Sequence, residues 1–222
     1  MEIQTAPMGM PAGHLTHLAG AVRAEVNVPI LAVGRILTPD VAEAVLSSGQ
    51  ADLIGMAREL IADPQFATKA ESAPATIRQC IGCNYCQSRV GFGKHVTCIY
   101  NAAAGREREL GAETLTPVAQ PKRILVIGGG PGGLEAARVA ALRGHEVTLY
   151  ERAPELGGQI RLAARVKSRE EIANVVRFLS NELRRLEVDV HLETEVTQEL
   201  IDECQPDAVI LATGSRARAV GM

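Results

Sequence analysis

The sequence predicts an α/β chain with parallel strands in two separate stretches, joined by a cysteine-rich loop. Three observations predict it. Short apolar runs ending in glycine or methionine, at 28–34 and 52–56, each lead towards a helix start, the pattern of buried parallel strands. The run Ile124–Ile127 is followed by Gly128-x-Gly130-x-x-Gly133 and then by an apolar helix candidate. Between these stretches lies a region of little periodicity that holds four of the five cysteines.

The first stretch reads as two β–α units in succession. A helix over 14–26 precedes the strand Val28–Gly34. Thr38-Pro39-Asp40 then opens a second helix, a cap residue followed by proline at the first helical position. Val41, Ala44 and Val45 mark its inner face, and Gly49 stops it. Asp52–Met56 is the next strand, with Arg58 close behind. The last stretch begins with the strand 122–127, followed by the glycine turn, a helix over 134–143 and the strand Glu146–Tyr150. Ser168-Arg169-Glu170-Glu171 has the form of a capping box. It is expected to start a helix whose apolar positions, from Ile172 to Leu186, recur every three or four residues. Strands at 188–192 and 208–211 complete a βαβ-type domain. The expected division is therefore 1–70, 71–121 and 122–222.

Composition narrows the function. The 222 residues are 46% hydrophobic and 22% charged, as in an ordinary globular protein. Aromatic residues are 3%, tryptophan is absent and the net charge is −3, which argues against a nucleic-acid partner. No apolar run reaches the roughly 18–20 residues that span a bilayer, and the first residues lack the pattern of a secretory signal. The expected location is cytoplasmic, where clustered cysteines serve as metal ligands or redox groups more often than as disulfides.

The spacing Cys80-x2-Cys83-x2-Cys86-x11-Cys98 points to metal. Thiolates are soft ligands, and four of them satisfy either tetrahedral zinc or the irons of a cluster. Zinc sites usually pair two C-x2-4-C hairpins. Three cysteines at tight, equal spacing with a distant fourth suit a four-iron cluster better, with zinc as the alternative. Gly82 and the glycines at 91 and 93 are expected to admit the backbone close to the inorganic sulfides. Cys204 stands apart as a free thiol beside a helix end. His14 and His17, one helical turn apart, read as surface residues, and His95 lies within the cysteine loop.

The glycine turn sits in the context that gives it meaning, after a strand and opening a helix. Gly128 makes the turn, Gly130 admits a pyrophosphate and Gly133 lets the helix pack on the strand, while the helix N-terminus favours negative charge. Glu151 ends the second strand where a carboxylate can accept the ribose hydroxyls, with Arg152 beside it. Gly158 and Gln159 in Glu155-Leu156-Gly157-Gly158-Gln159, and Thr213 and Gly214 at the end of the last strand, complete a candidate site for an adenine dinucleotide or its ADP part.

Together these motifs resemble the multidomain relatives of old yellow enzyme: trimethylamine, dimethylamine and histamine dehydrogenases, 2,4-dienoyl-CoA reductase and N-methylproline demethylase. The resemblance covers essentially the whole chain. Cys80-Ile81-Gly82-Cys83-Asn84-Tyr85-Cys86 carries it most specifically, and its second x2 gap is more similar to the amine dehydrogenases. It implies the last two units of a (β/α)8 FMN barrel over 1–70, a 4Fe-4S loop over 71–121, and a truncated Rossmann-like FAD/NAD(P)-binding domain over 122–222. It further implies that backbone amides around Gly34, Arg35 and Ala57, with the Arg58 side chain, bind the FMN phosphate, in keeping with the phosphate sites that follow barrel strands seven and eight.

The resemblance also implies that the first six barrel strands, with their substrate contacts, are missing. The chain is therefore expected to be an internal piece, inactive alone, of a flavin oxidoreductase that relays electrons between FMN and a second nucleotide site or partner. An amine-oxidising, N-demethylating dehydrogenase working with an electron-transfer flavoprotein is the first expectation. An NAD(P)H-dependent enoate or dienoyl-CoA reductase, acting on an unsaturated thioester or carbonyl, is the second. A non-enzymatic electron carrier is the third.

Overall fold

The computed structural model describes residues 5–215. Its elements, in chain order, begin with α1 (Thr16–Glu25), β1 (Leu31–Ala32), α2 (Pro39–Ser47), β2 (Leu53–Ile54), α3 (Arg58–Ala62) and α4 (Phe66–Ser72). Next come α5 (Tyr85–Gly91), α6 (Glu107–Leu110), β3 (Arg123–Ile127), α7 (Pro131–Leu142), β4 (Glu146–Tyr150) and α8 (Ile160–Ala163). The series closes with α9 (Ala173–Arg185), β5 (Asp189–His191), α10 (Gln198–Cys204) and β6 (Ala208–Leu211). The chain divides into two compact units. One runs up to Ala112 and takes in Val166–Asn174; the other comprises Glu113–Arg165 and the chain from Val175 onward.

In the first unit, β1 and β2 pair in parallel, Leu31 opposite Leu53 and Ala32 opposite Ile54. Both strands are shorter than their apolar runs, because a strand with one neighbour is defined only where that neighbour reaches it. Ala32, Val45 and Ala51 are buried together, with Ala19 and Ile54 against them. On α2, Val45 is buried while Ala44, expected inward, is exposed. The Asp52 carboxylate accepts from Arg23 Nε and Nη2 and from the Ile30 amide, tying α1 to the start of each strand. The Arg23 guanidinium and the Ile30 amide hold that carboxyl below the usual carboxylate range.

The predicted start of α2 is formed as read. Thr38 is extended and its hydroxyl accepts from the Val41 amide, with Pro39 at the first helical position. Thr38→Ala is expected to cost about 1 kcal/mol, seen as a lower midpoint in urea unfolding. An unchanged midpoint would mean that Pro39 alone fixes the helix start.

The capping box is not formed. Ser168 has a left-handed backbone (φ 65°), and its amide donates to Glu170 Oε1 at 3.1 Å. Glu171, which a capping box would turn back onto the Ser168 amide, accepts instead from the Gly9 amide and pairs with Arg35. A 3-10 turn over Glu170–Ile172 leads into α9. A long-range partner has taken the carboxylate that the local motif required.

The second unit is a four-stranded parallel sheet in the order β5-β4-β3-β6. Central β3 has Ile124, Leu125 and Val126 all buried, as a strand covered on both faces requires. Leu134 and Ala137 of α7 and Phe178, Leu179 and Leu183 of α9 supply buried apolar surface. Glu182 of α9 is buried too, its carboxylate gripping Arg185 by two bonds and lying 4.0 Å from Arg138 of α7. A buried carboxylate needs such partners. Edge strand β6 leaves Val209 and Leu211 exposed.

Candidate functional site

The second unit carries a groove of about 1000 Å³ at the carboxyl ends of its strands. Open α/β sheets bind ligands there. Of the residues expected at the nucleotide site, Gly128, Gly130, Glu151 and Arg152 line the groove, as do Gly158, Gln159, Thr213 and Gly214. Gly133 lies beneath it. Gly128 turns the chain with φ 111°, and a Cβ there would run into the Ala212 carbonyl. A Cβ on Gly133 would strike the Gly128 carbonyl oxygen, so glycine lets α7 sit on the turn. Around Gly130, the N-cap of α7, the space is open. The groove thus has helix amides at one wall and room where an anion would rest.

Glu151 does more than end β4. Its Oε2 accepts from the Gly129 amide at 2.6 Å and its Oε1 from the Ala153 amide at 2.8 Å. Each oxygen keeps a second lone pair for a ribose hydroxyl. Replacing the carboxylate by an amide turns one acceptor into a donor facing an N–H. Glu151→Gln is therefore expected to weaken ADP binding by about tenfold, the loss of one charge-assisted hydrogen bond. Calorimetric titration with ADP checks this, and an unchanged affinity would make Glu151 a structural residue only.

Sequence reasoning missed several groove residues. Arg161 and Arg165 line it from α8 and the turn after it, and Thr194, Glu195 and Val196 line it beyond β5. Arg161 is paired with Glu155 at 2.9 Å. The signal for the arginines was their place just after Gly157-Gly158-Gln159, where cations can meet a pyrophosphate. Tyr150 also faces the groove and stacks on His191, ring centroids 4.6 Å apart. Its hydroxyl lies 3.8 Å from Cys204 Sγ, at the end of α10.

In the first unit, Cys80, Cys83, Cys86 and Cys98 all line one cavity, together with Arg58, Asn84 and Tyr100. All four are free thiols. The local backbone explains how the tight spacing becomes one site. Gly82 is left-handed (φ 63°), and its amide donates towards Cys80 Sγ at 3.4 Å. Asn84 is left-handed as well (φ 58°), which sends the chain into α5 with Cys86 in its first turn. From the distant loop, the Tyr100 amide donates towards Cys98 Sγ at 3.4 Å. Burial pushes the Cys80 thiol up to about 12, so ligation there must displace a proton. Gly91 and Gly93 lie in open space and do not line the cavity. The expectation that they admit backbone to a bound group is corrected: Gly91 ends α5, and Gly93 makes the turn after it.

Among the described residues, no three His, Cys, Asp or Glu side chains close on a single ion.

The residues expected around the FMN phosphate have other partners here. Arg35 is buried, its Nε donating to the Met10 carbonyl and its Nη2 paired with Glu171. Arg58 is buried, with Nη1 donating to the Ala6 carbonyl and to Asn84 Oδ1. Gly34 has φ 127°, and burial shifts the titration of the nearby Glu59 carboxyl upward.

The chain carries two family signatures in tandem: the NADH:flavin oxidoreductase / NADH oxidase family over residues 8–76 and the pyridine nucleotide-disulphide oxidoreductases over 122–222. The chain belongs to the old yellow enzyme-related flavin oxidoreductases. Among relatives, this family member is 45% identical over 220 residues to a metal reductase of Desulforamulus reducens, covering 96% of this chain and 32% of the relative. It is 46% identical over 211 residues to an N,N-dimethylglycine/sarcosine dehydrogenase of Chromohalobacter salexigens, covering 94% of this chain and 30% of the relative. A 2-naphthoyl-CoA reductase structure superposes with a TM-score of 0.90 at 33% identity, covering 96% of this chain and 33% of that one. The chain thus spans about a third of the length of these old yellow enzyme relatives. No helix among the described residues is long and apolar enough to cross a membrane.

Proposed function

We propose that this chain is the electron-relay part of a flavin-dependent oxidoreductase, passing electrons between an FMN site and a second nucleotide or flavin site. The observation that carries this reading is the cavity shared by Cys80, Cys83, Cys86 and Cys98, set in chain order between the two family signatures. These thiols would hold a 4Fe-4S cluster, which supplies the one-electron step that joins two-electron carriers. The Gly82 and Tyr100 amides would stabilise negative charge on sulfur. FAD or ADP would rest with its pyrophosphate on the α7 N-terminus and its ribose on Glu151. The FMN phosphate would take the amides at Gly34 and Arg35 and the remaining N–H groups of Arg58. A free thiol set fits a reducing compartment such as the cytoplasm.

For the longer protein, amine oxidation with N-demethylation is the favoured activity, supported by the dimethylglycine/sarcosine dehydrogenase at 46% identity. An electron-transfer flavoprotein would be the acceptor. The 2-naphthoyl-CoA reductase structure favours a second reading, in which NAD(P)H drives reduction of an unsaturated thioester. Methylated amine reducing the flavin of the full-length protein supports the first, and NADH doing so the second.

The relay itself is tested by anaerobic purification with iron, sulfide and zinc analysis. About four iron and four sulfide per chain, with an EPR signal after dithionite reduction, are expected of a four-iron cluster. Stoichiometric zinc, or iron at trace level, would overturn it.

A further inference from the structure

We infer that Arg58 holds the cysteine loop in place and sets the reduction potential of the centre that loop binds. This rests on the reading of the four cysteines given above. Arg58 opens α3, and its position after a barrel-type strand marks it for phosphate, yet it lines the same cavity as the four thiols. Residue 58 is only 8% exposed. Its Nη1 donates to two neutral oxygens, the Ala6 carbonyl at 2.7 Å and Asn84 Oδ1. Asn84 in turn donates from Nδ2 to the Thr5 carbonyl at 3.2 Å. Asn84 is the left-handed residue between Cys83 and Cys86. A flexible position that decides where two ligands point is therefore fixed by a side chain from another element.

The charge has a second consequence. A centre that takes up one electron becomes more negative, and a cation within its cavity wall favours the reduced form. Screening is weak because the guanidinium is buried. Arginine suits both duties, since its fork positions a partner amide while its charge stays in place.

The test is a dithionite titration of the purified chain, followed by EPR, for wild type, Arg58→Met and Arg58→Lys. Arg58→Met is expected to shift the oxidised-to-reduced equilibrium about tenfold towards oxidised, or about 59 mV for a one-electron couple. Arg58→Lys keeps the charge but loses the fork. It should hold the potential near wild type while losing iron faster to a chelator. If Arg58→Met does not fold, Asn84→Asp neutralises Arg58 in place and should lower the potential in the same direction. An unchanged potential in Arg58→Met, or in Asn84→Asp where that replaces it, overturns the inference. It is also overturned by loss of FMN with the potential untouched, which would assign Arg58 to phosphate alone. Wild-type chain without iron overturns the cysteine reading itself, a different result from a wild-type cluster indifferent to residue 58.

Discussion

Cys83→Ser is expected to strip iron and sulfide from the chain to below about a tenth of the wild-type content, because a hydroxyl is a hard, weakly acidic substitute for a soft thiolate. Cys83 is the most exposed of the four cavity thiols. Its replacement removes a ligand without opening a void in the core, so the fold should persist. The remaining cysteine, Cys204, lies against the Tyr150 hydroxyl at 3.8 Å and does not line this cavity. Cys204→Ser supplies the control, with iron content unchanged. Iron, sulfide and visible absorption measured on both variants decide the matter. Full iron in Cys83→Ser would remove that residue from the ligand set.

Two glycines of one turn should fail in opposite ways. A Cβ at 130 meets no protein atom within 4 Å, and Gly130 has an ordinary φ of −73°. Gly130→Val should therefore fold at a cost of about 1 kcal/mol or less, the loss of a tolerable N-cap. Its side chain would occupy the space over the α7 N-terminus, and ADP affinity should fall by about two orders of magnitude. Gly133→Ala places a methyl on the Gly128 carbonyl. Helix and strand must part, at about 1–3 kcal/mol, so the melting temperature drops and binding fails with it. Thermal melts and ADP calorimetry on both variants separate the cases. Normal ADP binding by Gly130→Val would place the pyrophosphate elsewhere.

What the sequence made legible was local. The β3–turn–α7–β4 series could be read because a buried strand, a glycine-bearing turn and an apolar helix each mark themselves within a few residues. The spacing of the four cysteines likewise announced that they would meet in one place, and they line one cavity. Glu171 could not be read. Its carboxylate fits a capping box, and only the fold brings it to Arg35, 136 residues away in the chain. Arg58 was legible as a cation after a strand, but its link to Asn84 spans 26 residues and depends on a left-handed turn. The lengths of β1 and β2 were hidden for another reason: hydrophobic runs report burial tendency, whereas a ladder needs a partner strand.

The short stretch Val166–Asn174 changes what counts as a removable piece of this protein. The chain leaves the first unit after Ala112, returns for Val166–Asn174 and leaves again. A cut at the Pro121–Lys122 junction would therefore deprive the front half of Glu171. Arg35, its side chain 1% exposed, would be left as a buried cation without its anion, a loss of about 3–5 kcal/mol for pairs of this kind. The Tyr100 hydroxyl, which donates to the Asn174 carbonyl at 3.0 Å, would lose its acceptor in the same stroke. Splitting the chain at its proline linker would thus weaken the cysteine-bearing half from a distance. A front half meant to stand alone must carry residues 166–174 grafted back onto it.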